Sequence, residues 1–328
     1  MIGIERDHRL DLLRVIAAAI VVFRHSPPPG SAPGVVLVGI SYMTEPGVGL
    51  FFMISGALLL GNALPVRDFI KHRFSKVLFP TLFWTVFYIV VRSLETLSPL
   101  SESIKMVLSI PFSAQGHGIL WFMYTLAGLY LLTPVLSRWL SSASKREVEF
   151  YLLLWGVTLI YPYLRHVLYI NETVTGVLYY FAGYSGYFLF GYYLKHYYSY
   201  RTVHVLGAIV IVFAVPSVLY LTYREFDYYE MLDYLTLPVA LMTFCWFVLI
   251  NELPNKRNTS ISKIARASFG IYLVHIFIVS SILWKLGFVS SLPGMLQIPV
   301  VAISAFMISY WVSWAISKLP FSKYIIGI

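Results

Sequence analysis

Runs of about twenty apolar residues, repeated along the whole chain with short polar breaks, limit the available folds more than any other feature. Backbone N–H and C=O groups left unpaired in hydrocarbon cost several kcal/mol each, so only helices and closed barrels cross a bilayer. The runs are continuously apolar rather than alternating, which excludes membrane strands. Spans are expected at 10–26, 35–61 (kinked near Pro46), 77–94, 118–140, 150–170, 176–195, 203–223, 231–251, 264–286 and 295–318. Composition agrees: 59% of the residues are hydrophobic, 12% are charged and the mean hydropathy is +0.75, outside the range of soluble domains. The expected class is an all-α polytopic membrane protein with about ten transmembrane helices, forming one domain over residues 1–328. The first run has charge at both ends and no small-residue cleavage site after it, so it reads as a retained span.

A net charge of +9 would suggest nucleic acid in a soluble protein, but here the basic residues sit in short loops between apolar runs. There they set orientation, and nucleic acid is not an expected partner. With the N-terminus in the cytoplasm, eighteen Lys and Arg fall inside and five outside, with Arg24 near the outer end of the first span. That bias supports an even number of spans with both termini cytoplasmic. Cys245 is the only cysteine, so no intrachain disulfide is possible, and it reads as a small core hydrophobe.

Ionisable residues inside membrane segments mark functional sites. Arg14 and His25 share the first run, LDLLRVIAAAIVVFRHS, eleven positions apart. On a helix that separation is about 16 Å and three turns, so the two share a face, Arg14 near the cytoplasmic end and His25 near the outer end. Arg14 joins a cytoplasmic set with Arg67, Lys71, His72, Arg73 and Lys76 in RDFIKHRFSKVLFP. This set either orients the chain and meets anionic membrane lipid, or docks phosphates through Arg forks and Lys point charges.

The outer set is His25, Glu45, His117 and Trp121. A carboxylate facing His25 would fix its tautomer and raise its basicity, preparing it to take a proton from a hydroxyl. The alternative is a satisfied pair that ties helices together. Ser55, beside Gly56 in FFMISG, reads either as a small residue for close helix packing or as a nucleophile without a neighbouring base. His275 in SFGIYLVH is a packed histidine or a member of the site. The tyrosine-rich stretch 179–200 reads as an interfacial belt with small-residue packing, with sugar stacking as a second reading. No P-loop, dinucleotide glycine motif or zinc-ligand spacing occurs, so no metal and no permanently bound cofactor are expected.

Taken in order, RLDLLRVIAAAIVVFRH, GVGLFFMISGALLL, IKHRFSKVLFPTLFW, GILWFMYTLAGLYLLTPVL, GYFLFGYYL and SFGIYLVH resemble the acyltransferase-3 family of integral membrane acyltransferases. The ending LPFSKYIIG makes the chain most similar to the branch that O-acetylates surface polysaccharides such as enterobacterial common antigen. The resemblance implies a multi-pass protein of the bacterial inner membrane. It would transfer acetyl from cytoplasmic acetyl-CoA, its co-substrate, to a sugar hydroxyl of a surface glycan or a lipid-linked sugar. It carries over Arg14 and His25 as the arginine–histidine motif and points to the stretch at Lys71 and Arg73 for CoA. His72 and Lys76 stand where many relatives have arginine, and neither reproduces a guanidinium fork. In that mechanism Glu45 or another acid orients His25, with Ser55, His117 and Trp121 as oxyanion donors. A polysaccharide exporter is the alternative class, and succinyl or another short acyl group the alternative cargo. An exporter often shows inverted symmetry, which this sequence does not display.

Overall fold

A computed structural model describes residues 6–28, 35–61, 65–110, 120–168, 176–199, 202–222 and 232–328. Helices dominate, and no strand occurs among the described residues. In chain order they are α1 (His8–Arg24), α2 (Val35–Thr44), α3 (Pro46–Leu59), α4 (Val66–Thr96), α5 (Leu100–Ser109), α6 (Trp121–Leu140) and α7 (Lys145–Thr158). There follow α8 (Tyr161–Leu168), α9 (Ser185–His196), α10 (Thr202–Thr222), α11 (Leu237–Asn251), α12 (Thr259–Ile276), α13 (Gly294–Ile316) and α14 (Ser322–Ile325), with a short helical turn at Gly287–Ser291 between α12 and α13.

Four stretches among the described residues are long and apolar enough to cross a membrane: Leu37–Leu59, Val66–Thr96, Thr259–Lys285 and Gly294–Ile316. Among the described residues each of the other expected runs contains helix, but several helices are shorter than their hydropathy suggests. Residues 150–170 divide at Leu159, where Pro162 lies in the first turn of α8 and the Leu159 carbonyl accepts from the Leu237 N–H at 3.1 Å. The 176–195 run becomes helical only from Ser185, after a 3₁₀ turn at Tyr179–Phe181. The break near Pro46 is mild. Glu45 keeps helical angles, φ −57° and ψ −35°, so Leu37–Leu59 continues through a residue that cannot donate.

The chain divides into two compact units, Met1–Asn62 with Leu136–Ala265, and Ala63–Val135 with Arg266–Ile328. In the first, α3 is the central element, packed against α1, α9 and α11. Glycine makes this possible. A Cβ at Gly56 would lie 1.8 Å from the Phe188 carbonyl oxygen, and one at Gly191 would lie 1.9 Å from the Met53 carbonyl oxygen. Two backbones therefore touch directly, the way small residues join helices in lipid. Leu50, Phe52 and Met53 fill the surrounding core without measurable exposure.

In the second unit, α4 contains a π turn at Ile70–Phe74, and α12 passes into another at Phe277–Ile282. A π turn changes which backbone groups pair, and Tyr88 from α4 occupies the second junction. Its hydroxyl donates to the Leu273 carbonyl at 2.8 Å and accepts from the Phe277 N–H at 3.3 Å. The C-terminal chain returns to α4, where the Trp84 indole N–H donates to the Ile325 carbonyl at 2.8 Å.

Candidate functional site

His25 sits at the C-cap of α1, half-buried, its backbone N–H bonded to the carbonyls of Val21 and Val22. Arg24, the last residue of α1, reaches α2–α3. Its Nε donates to Glu45 Oε1 at 3.2 Å, and Nη2 lies 3.2 Å from the same oxygen. The Glu45 side chain is 1% exposed, and a Tyr234 side-chain hydrogen bond also reaches it. The sequence suggests a carboxylate facing His25, and Glu45 forms an ion pair with Arg24, the residue before it. Its structural effect is to pin the end of α1 that carries His25. Replacing Glu45 with Gln removes the charge that Arg24 needs while keeping the shape. It is expected to cost about 2 kcal/mol of stability, less than for a fully buried pair because Arg24 is partly exposed. Chemical unfolding in detergent reads this as a lower midpoint.

At the other end of α1, Asp7 caps the helix by accepting from the Arg9 N–H. Burial pushes Asp7 up, but hydrogen bonds and charge from Arg9 outweigh it and hold the carboxyl below its ordinary value. Asp11, 3% exposed, gathers a network: Arg6 donates to both of its oxygens at 2.8 and 2.9 Å, and Ser262 donates to Oδ2 at 2.9 Å. Arg14 stands 3.9 Å from Asp11 Oδ1 and is one third exposed, so it presents a guanidinium that is oriented yet reachable. The sequence reading placed Arg14 but not this acid beneath it.

In the second unit, Lys71, His72, Arg73 and Lys76 line one cavity of about 820 Å³, within the range of small-molecule sites. The π turn Ile70–Phe74 carries the first three of these side chains, and Ser75 bonds back to the Lys71 carbonyl at 2.6 Å. Two lining residues come from the far end of the chain, Lys323 and Tyr324 of α14. The sequence reading counted Lys323 only as a topology charge. The cations Lys318 and Lys323 at the close of the last apolar run were the signal available.

The remaining candidates are Ser55, Trp121, His117 and His275. Ser55 lies half-buried on α3 next to Gly56, and it is Gly56 that makes the close helix contact. Trp121 begins α6 in the second unit, half-buried, with its ring 6.4 Å from Phe122. His117 lies outside the described residues. His275, with no measurable exposure, donates from Nδ1 to the Tyr272 carbonyl at 2.5 Å, one turn back on α12. Among the described residues no group of three His, Cys, Asp or Glu side chains could hold a metal ion.

These clusters can do two things chemically. A basic cavity suits a polyanionic ligand, and a half-buried imidazole at a pinned helix end suits proton transfer. A family model described as an acyltransferase domain, that of the acyltransferase-3 group, matches residues 7–318. No curated protein and no solved structure matches the chain significantly.

Proposed function

Since the chain belongs to the acyltransferase-3 family, it is a membrane acyltransferase, and we propose that it moves acetyl from cytoplasmic acetyl-CoA to a sugar hydroxyl beyond the membrane. The acceptor is a cell-surface polysaccharide or its lipid-linked precursor, of the enterobacterial common antigen type. The membrane is the bacterial inner membrane, crossed about ten times by a single domain with both termini cytoplasmic. The observation that carries this reading is the basic cavity on α4, whose cations match the phosphates of CoA within a family that transfers acyl groups.

Lys71, Arg73 and Lys76 take those phosphates. His25 removes the proton from the glycan hydroxyl as its oxygen forms a bond to the acetyl carbonyl carbon. The carbon–sulfur bond then breaks, and the imidazolium returns the proton to the departing CoA sulfur. Glu45 acts through Arg24, holding the end of α1 that presents His25. Ser55, Trp121, His117 and His275 are the candidates for donors to the oxyanion and for acceptor contacts.

The test is release of free CoA thiol from acetyl-CoA by purified protein, with and without a surface-glycan fraction. Release that requires the glycan supports an acyltransferase. A folded sample that neither releases nor binds CoA contradicts it. Arg73→Ala removes a charge-assisted contact and is expected to raise the KM for acetyl-CoA about tenfold in the same assay. An unchanged KM would remove the cavity from donor binding.

A further inference from the structure

The α4 cavity has a second wall, supplied by the C-terminal chain, and this wall is built rather than loosely apposed. Trp84 donates to the Ile325 carbonyl, and Ile326 is buried without measurable exposure. Gly327, at φ +73°, passes so close to α4 that a Cβ there would lie 2.6 Å from the Lys76 carbonyl oxygen. Only glycine meets both the left-handed backbone and that approach. Held this way, α14 contributes an exposed cation and an aromatic ring to the cavity. The Tyr324 ring meets Phe79 of α4 edge to face, with centroids 5.3 Å apart, and Lys323 Nζ lies 4.7 Å from the Tyr324 ring centre.

The two walls differ in chemistry. The α4 wall carries Lys71, His72, Arg73 and Lys76 within six residues, a concentrated charge suited to a diphosphate. The α14 wall pairs one cation with an aromatic edge, which suits a purine bearing a separate phosphate. The nucleotide end of CoA has both parts, a 5′-diphosphate and a 3′-phosphorylated adenosine. We propose that Lys323 and Tyr324 form the 3′-phosphoadenosine subsite. Lys323 binds the 3′-phosphate, and Tyr324 with Phe79 packs against the base. This assignment rests on acetyl-CoA being the donor, and it makes Lys323 the residue that distinguishes CoA from dephospho-CoA. A membrane lipid headgroup offers phosphate as well, but no purine for the aromatic pair.

Full-length protein in nanodiscs provides the test, with CoA and dephospho-CoA titrated separately and the acetyl form of each then assayed for thiol release. Wild type is expected to bind CoA about tenfold more tightly than dephospho-CoA, the worth of one charge-assisted contact. Lys323→Ala should weaken CoA to the dephospho-CoA level and leave dephospho-CoA unchanged. Lys323→Arg should keep the preference, and Tyr324→Leu should weaken both ligands. Lys318→Ala, whose ammonium lies 5.2 Å from the centre of the Trp314 ring and outside the cavity, should move neither. Equal losses for both ligands in Lys323→Ala, or no loss, would overturn the assignment. So would competition between phosphatidylglycerol in the nanodisc and CoA that depends on Lys323 without any 3′-phosphate preference. A Lys323-dependent preference in a protein that transfers nothing would support the subsite and overturn only the transfer reading. Transfer with the preference intact in Lys323→Ala would overturn only the subsite.

Discussion

Replacing His25 with alanine is expected to lower acetyl transfer by about 10³-fold, the middle of the range for a positioned general base. The effect should fall on turnover. His25 is half-buried at a helix cap, and alanine retains the backbone N–H that bonds to the carbonyls of Val21 and Val22. Unfolding midpoint and CoA affinity should therefore change little. A variant with wild-type turnover would remove His25 from the chemistry. A variant that fails to fold would show instead that the imidazole serves packing, and the test would pass to His25→Gln, which keeps a polar side chain there and cannot act as a base.

Gly56→Ala should be the most damaging small substitution in the first unit. The added methyl would meet the Phe188 carbonyl oxygen at 1.8 Å, and that atom belongs to the backbone of α9, so no rotamer change relieves the overlap. Either α3 and α9 separate and the core around Phe52 and Met53 loosens, or the variant does not fold. The expected cost is about 3 kcal/mol or more, at the upper end for overpacking. It is read from the unfolding midpoint in detergent and the monodisperse fraction on size exclusion. Gly128→Ala is the control. Nothing lies within 4 Å of a Cβ there, so it should be neutral or stabilising by up to about 1 kcal/mol. Equal behaviour of the two variants would mean that α3 and α9 are not joined backbone to backbone.

Helical segments were legible from sequence because apolar run length is a local property, and so was the disturbance at Pro46. The break at Leu159 was not, because its carbonyl is satisfied by Leu237, a residue 78 positions away, and only folding brings that partner. The close packing at Gly56 was visible as a small residue in an apolar run, but the backbone it meets, at Phe188, was not, since helix pairing leaves no local period. Glu45 stood out as a carboxylate of the outer set, yet its ion pair with Arg24 was not legible, because it depends on the rotation of α1, and adjacent residues on a helix face about 100° apart. The basic stretch on α4 was legible as a charge cluster. Lys323 was hidden because it lies about 250 residues further along the chain, brought back by the Trp84–Ile325 contact and the glycine at 327.

The most direct test of a transfer that crosses the membrane is made in proteoliposomes of known protein orientation, with labelled acetyl-CoA on one side only and glycan acceptor on the other. Label should appear on the glycan when CoA meets the cytoplasmic face, should vanish with His25→Ala, and should be absent when donor and acceptor share the outer side. Labelling that requires donor and acceptor in one compartment, or that survives His25→Ala, would contradict it.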